Sequence, residues 1–129
     1  MTQPLYVALL WHMHQPYYRD ASTGDFALPW TRLHATKDYL HMADVLADYP
    51  SVHATFNVVP SLVEQLEEYA GGFSTDRVLR VSLKEHFSAD DKEFMLSFFF
   101  SINWDRLLYR YPAYRELARK YHPDLNPDD

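Results

Sequence analysis

Apolar side chains fill every position from Leu5 to Trp11, and then two histidines enter at alternate positions, His12 and His14. A run apolar on both faces reads as a central strand of a parallel sheet, covered above and below. The strand is expected over Leu5–His14, because Pro16 cannot donate to a ladder. A side-chain period of two puts Tyr6, Ala8, Leu10, His12 and His14 on one face. A second strand is expected over Val52–Val59, stopped by Pro60. Val52, Ala54, Phe56 and Val58 share one of its faces; His53, Thr55 and Asn57 share the other. Between the strands, Gln15 to Pro29 reads as a long loop with a turn at Ser22-Thr23-Gly24-Asp25. Thr31 to Tyr49 reads as a helix, with Leu33, Tyr39/Leu40, Met42/Ala43 and Leu46/Ala47 on helical spacing. A further helix is expected over Leu62–Tyr69, opened by a Ser61/Glu64 capping box and closed by Gly71-Gly72. Strand, helix, strand, helix, with both strands apolar, defines an α/β protein with a parallel sheet.

The second half changes character. Ser88 and Asp91 suggest a cap for a helix over Ala89–Phe100. Met95, Leu96, Phe98, Phe99, Phe100, Ile102 and Trp104 make this stretch apolar nearly all round, so it must be buried. A chain of 129 residues offers little surface for that, and the Phe94–Trp104 stretch is expected to be covered by further chain or by a second copy. A last helix is expected over Ala113–Tyr121, between Pro112 and Pro123.

The candidate chemistry sits at the strand ends. His12 and His14 lie side by side at the carboxyl end of a parallel strand, where open sheets and barrels place their ligands. Imidazoles and the Gln15 amide can donate and accept hydrogen bonds, and Asn57 ends the second strand in the same way. The competing readings are hydrogen-bonded packing, or a Zn²⁺ site with a carboxylate as third ligand; no third ligand follows at local spacing. Paired carboxylates are missing from the strand ends. Asp20 and Asp25 fall in the first loop, and Asp38, Asp44, Asp48, Glu64, Glu67 and Glu68 fall on helices as solvated faces.

Bulk properties narrow the class. A net charge of −6 and a pI of about 5.5 argue against a nucleic-acid partner, which needs a basic patch. No run of 18 apolar residues suggests a membrane span. Zero cysteines exclude disulfides and thiolate metal sites. The opening Met1-Thr2-Gln3-Pro4 lacks a basic start and apolar core, so a cytoplasmic location is expected.

Ordered blocks along the chain carry a family resemblance. Trp11-His12-Met13-His14-Gln15-Pro16 is similar to the opening signature of glycoside hydrolase family 57, the α-glucan hydrolases and transferases of α-amylase, 4-α-glucanotransferase and amylopullulanase type. The likeness continues through Leu28 to Tyr39 and Ala54 to Leu62, and more weakly from Phe99 to Leu117. It implies the N-terminal portion of an incomplete parallel (β/α)7 barrel of the glycoside hydrolase/deacetylase type. Residues 1–72 would be its first two β/α units and 73–129 a helical insertion. A whole barrel needs roughly 200 residues or more, so a truncated or partial barrel is expected. The resemblance implies that His12 and His14 line the subsite for the cleaved sugar, with Gln15, Trp30, Arg32, His34 and Asn57 near the same cleft. The substrate would be an α-glucan or maltooligosaccharide, with no cofactor. The family's Glu nucleophile and Asp acid/base have no counterpart here, so no catalytic residue is assigned and the chain alone is expected to be inactive. Two other readings remain open. One is a metal-dependent polysaccharide deacetylase or α-mannosidase-like barrel. The other is a J-domain-like co-chaperone module, from the basic helix before Tyr121-His122-Pro123-Asp124.

Overall fold

The computed structural model describes residues 3–121. They form two compact units, one ending at Ser82 and one beginning at Leu83. His122-Pro123-Asp124 lies outside the described residues.

The first unit has the order anticipated from its hydrophobic pattern. Strand β1 (Leu10–Met13) is followed by helix α1 (Trp30–His34), which runs through a π-helical turn (Ala35–Tyr39) into α2 (Leu40–Ala47). Then come strand β2 (Thr55–Val58), helix α3 (Pro60–Gly71) and the short helix α4 (Arg77–Ser82). The strands pair in parallel, with Leu10 opposite Thr55, Trp11 opposite Phe56, His12 opposite Asn57 and Met13 opposite Val58.

Both strands are shorter than expected. Leu5, Tyr6 and Val7 lie outside the ladder and are 89, 87 and 75% exposed. The physical reason is partner supply: β1 has one neighbour among the described residues, and four rungs are all that β2 offers. The face expected to be buried through Tyr6 and Leu10 is therefore open.

Helix α3 starts differently from the expected capping box. Val59 is its extended N-cap and Pro60 its first residue, where a fixed φ and a missing N–H cost nothing. The Ser61 hydroxyl instead donates to the Gln15 carbonyl at 3.2 Å, and Glu64 accepts from the Tyr17 hydroxyl at 2.9 Å. Gly72, at φ +70°, turns the chain out of the helix, a conformation that costs glycine little.

The core of this unit gathers Met13, Phe26, Leu62 and Val81, with Phe26 stacked on Tyr69 at 4.5 Å. The loop from Gln15 to Pro29 is strapped down. Phe26 N–H donates to Thr75 O at 2.8 Å, Thr75 N–H to Asp25 at 3.2 Å, and Arg19 and Arg80 pair with Glu68 and Asp25. Asp20 is occupied by the N–H and hydroxyl of Ser22. Both loop carboxylates therefore serve the loop's own shape.

In the second unit, α5 (Ala89–Phe98) carries the expected box: the Ser88 hydroxyl accepts from Asp91 N–H, and Asp91 accepts from Ser88 N–H. It ends earlier than expected, with Phe99 as its C-cap. A π-helical turn (Trp104–Leu108) and α6 (Pro112–Tyr121) follow. The aromatic stretch is half-buried within its own unit. Phe94 stacks on Phe98 at 5.4 Å, and Phe100 meets Tyr114 and Tyr121 at 5.4 and 5.7 Å. Leu108 and Ala118 are fully buried. Among the described residues, no helix is long and apolar enough to cross a membrane.

Candidate functional site

The carboxyl ends of β1 and β2 bring three expected side chains together. His12 and Asn57 are register partners, so their side chains leave the sheet on the same face. His12 Nδ1 lies 2.5 Å from Asn57 Oδ1. His14, two residues on, presents its ring edge-on to His12 with centroids 5.7 Å apart. All three residues are exposed.

The alternate positions point inward. Met13 and Gln15 are buried, and the Gln15 amide is used at both ends. Its Nε2 donates to Tyr39 Oη at 3.0 Å, and its Oε1 accepts from the Tyr18 hydroxyl at 3.1 Å. Tyr39 in turn donates to His14 O at 3.1 Å. Burial, with Tyr39 nearby, pushes the Tyr18 hydroxyl above the usual phenol range. Below them, fully buried Gln65 accepts from Tyr18 N–H and the Thr31 hydroxyl, and donates to Pro16 O and Ser61 O at 2.9 and 2.8 Å. These bonds tie the Gln15-Pro16 corner, α1 and α3 to one buried amide.

Helix α1 supplies the remaining expected residues. The His34 ring is half-buried, with Nδ1 2.5 Å from Asp38 Oδ2 and its centroid 6.2 Å from that of Tyr39. His34 thus reaches the strand end through Tyr39. The hydrogen bond from His34, helped by Lys37, holds the Asp38 carboxyl below the usual carboxylate range. The π-helical turn follows His34 and ends at Tyr39, and such turns are frequent at functional sites. Trp30 opens α1 at the surface, 36% exposed. Arg32 is committed elsewhere: its Nε and Nη2 grip Asp76 at 2.8 and 3.2 Å.

Three residues of this framework have no signal in the strand-end pattern. Tyr39 and Gln65 fall on ordinary helical spacing, and Asp76 lies in a short connection. The usable clue at Tyr39 is chemical, since a buried Tyr hydroxyl needs a partner. Among the described residues, no group of three or more His, Cys, Asp or Glu side chains is placed to hold a metal.

Parallel strands joined by a helix, with polar side chains gathered at their carboxyl ends, define an α/β protein of the strand-end-site kind. Sequence comparison names the family: the model for Glycosyl hydrolase family 57 matches residues 8–123, and the chain belongs to that family. No curated protein and no solved structure matches it.

Proposed function

We propose that this chain forms the opening of a parallel (β/α)7 barrel and one wall of the donor-sugar subsite of a retaining α-glucan hydrolase or glucanotransferase. His12, His14 and Asn57 bond the sugar hydroxyls, and His34 and Trp30 extend the wall from α1. Gln15 fixes the corner behind them. The Glu that attacks the anomeric carbon and the Asp that protonates the leaving oxygen come from strands outside residues 1–129, and 73–129 is an insertion between early strands. The observation that carries this reading is the His12–Asn57 pairing across the ends of two parallel strands, in a chain of this family.

The test is an NMR titration of the labelled chain with a maltooligosaccharide. Shifts are expected at the His12, His14 and Asn57 side chains, with none from a β-linked glucan oligomer. His12→Ala should weaken binding roughly three- to tenfold, the loss of one hydrogen bond. A titration flat at all three residues refutes the subsite. Release of reducing ends by the chain alone refutes the placement of both carboxylates elsewhere.

A further inference from the structure

The wall proposed above depends on which imidazole nitrogen meets the ligand, and the structure bears on that choice. A neutral imidazole carries one proton, and the partner of one nitrogen decides the role of the other. His12 Nδ1 lies 2.5 Å from the carbonyl oxygen of the Asn57 side chain. A carbonyl oxygen only accepts, so the proton between them sits on Nδ1. Nε2 is then left with its lone pair, on an exposed ring at the end of the strand. His34 repeats the geometry with a carboxylate: its Nδ1 is 2.5 Å from Asp38 Oδ2.

We infer that the side-chain carbonyl of Asn57 holds His12 in the Nδ1–H tautomer, so that Nε2 faces the sugar as a hydrogen-bond acceptor, while the Asn57 amide nitrogen keeps the direct sugar contact proposed above. This rests on the subsite reading and deepens it. The acceptor selects a group that brings a hydrogen, so a sugar hydroxyl fits and a fluorine in its place does not. Free imidazole prefers the opposite tautomer, and Asn57 supplies the bias against that preference.

Nitrogen-15 NMR of the ring-labelled full chain, at a pH where the imidazoles are neutral, reads the tautomer directly and needs no ligand. The expected spectrum has a protonated Nδ1 and an unprotonated Nε2 at His12. Asn57→Ala should return His12 to the Nε2–H form while His34, gripped by Asp38, keeps its own signature and reports that the fold is intact. Asn57→Asp retains an acceptor and should retain the Nδ1–H form. An Nε2–H or averaged His12 in the unaltered chain overturns the inference, as does an Nδ1–H His12 in folded Asn57→Ala. The ligand step is separate. Maltooligosaccharide affinity should fall roughly three- to tenfold in Asn57→Ala, and a deoxyfluoro analogue that substitutes the contacted hydroxyl should bind correspondingly worse. The expected tautomer with no response to any oligosaccharide would leave the Asn57 grip standing and refute the subsite.

Discussion

Replacing Asp76 should be the most damaging single change in the first unit. Its carboxylate is fully buried and accepts four hydrogen bonds: Arg32 Nε at 2.8 Å, Arg32 Nη2 at 3.2 Å, the Tyr69 hydroxyl at 3.0 Å and Leu79 N–H at 2.8 Å. The Arg32 side chain is itself only 20% exposed. Asp76→Ala strands that cation and also leaves the Tyr69 hydroxyl and the first turn of α4 without their acceptor. Breaking a buried pair from one side costs about 3–5 kcal/mol. Asp76→Asn keeps the shape but loses the charge-assisted bonds, worth about 1.5–3 kcal/mol. Arg32→Met should also destabilise, and the double variant Arg32→Met, Asp76→Ala should recover part of the summed loss. The recovery should be on the order of 0.5–3 kcal/mol, the coupling typical of contacting residues in one network. Urea unfolding provides the assay. In a Trp104→Phe background the remaining emission comes from Trp11 and Trp30 in this unit, and Trp11 sits edge-on to Phe56 at 5.1 Å. A cost below about 1 kcal/mol for Asp76→Ala, or strict additivity in the double variant, refutes the account.

The same cluster fixes the sign of two pH effects. Burial works to raise the Asp76 carboxyl, but hydrogen bonds from Arg32, Leu79 N–H and Tyr69 outweigh it and hold it below its ordinary value of 3.8. Its stabilisation is therefore present above that value and lost as pH falls through the lower folded one. Burial, reinforced by Asp76, raises the Tyr69 hydroxyl above its ordinary 10.0. That contribution is complete below pH 10.0 and lost as pH rises through the folded value. The first unit should weaken at both extremes, and Asp76→Asn should flatten the acid limb.

Further predictions concern Gln65 and the cap of α5. Gln65→Leu removes both bonds the amide accepts and both it donates; it should cost about 3 kcal/mol, and hydrogen exchange at Tyr18 N–H should speed up more than at the β1 ladder. In the second unit, Ser88→Ala should cost about 1 kcal/mol, the usual value of an N-cap side chain, read from Trp104 emission on unfolding. Lys84, followed by the Ser88 N–H and hydroxyl, holds Asp91 at about 2. The cap should therefore hold above pH 3.8 and fail as pH falls from there toward about 2. Lys84→Met should raise the Asp91 titration seen by NMR; an unchanged midpoint would show that the 2.7 Å contact carries no weight.

What the amino-acid order revealed is what local chemistry decides. Pro16 and Pro60 follow the strands and bar their extension because they cannot donate, Gly72 ends α3 because it alone tolerates φ +70° cheaply, and Ser88 with Asp91 caps α5 within four residues. Strand length failed to show because it belongs to the pair: Leu5–Leu9 have the apolar pattern of a strand, but β2 provides no rungs for most of them. Glu64 and Glu68 illustrate a second blind spot. Their helical positions suggested a solvated face, yet they hold Tyr17 and Arg19 of the distant first loop, and Glu68 also accepts from Ser74 just past the helix. At the site, alternation alone placed His12 and His14 on one face. That His12 stands opposite Asn57 is a matter of register, and register is fixed by the packing of Trp11 on Phe56 and of Met13 into the core, 45 residues apart in sequence for the His12–Asn57 pair.

The strand period also divides the work of the His-x-His-Gln segment. His12 and His14 point outward and Met13 and Gln15 inward, so the groups that could meet a ligand and those that hold the backbone never compete for the same side. Gln15 uses one N–H on Tyr39 and one carbonyl lone pair on the Tyr18 hydroxyl, and turning the buried amide away from either partner would cost about 1–3 kcal/mol. In the proposed subsite its contribution is to rigidity. With Tyr39 bonded to His14 O and Gln65 to Pro16 O, the main chain is fixed on both sides of Gln15, by one half-buried and one fully buried side chain. Little conformational freedom then remains to be lost when a ligand binds the exposed rings, which is how a pre-organised site keeps the free energy of its few polar contacts. On that argument Tyr39→Phe, which touches no ligand in the proposed subsite, should weaken sugar binding through His14. Tyr39→Phe and His14→Ala should then be less than additive.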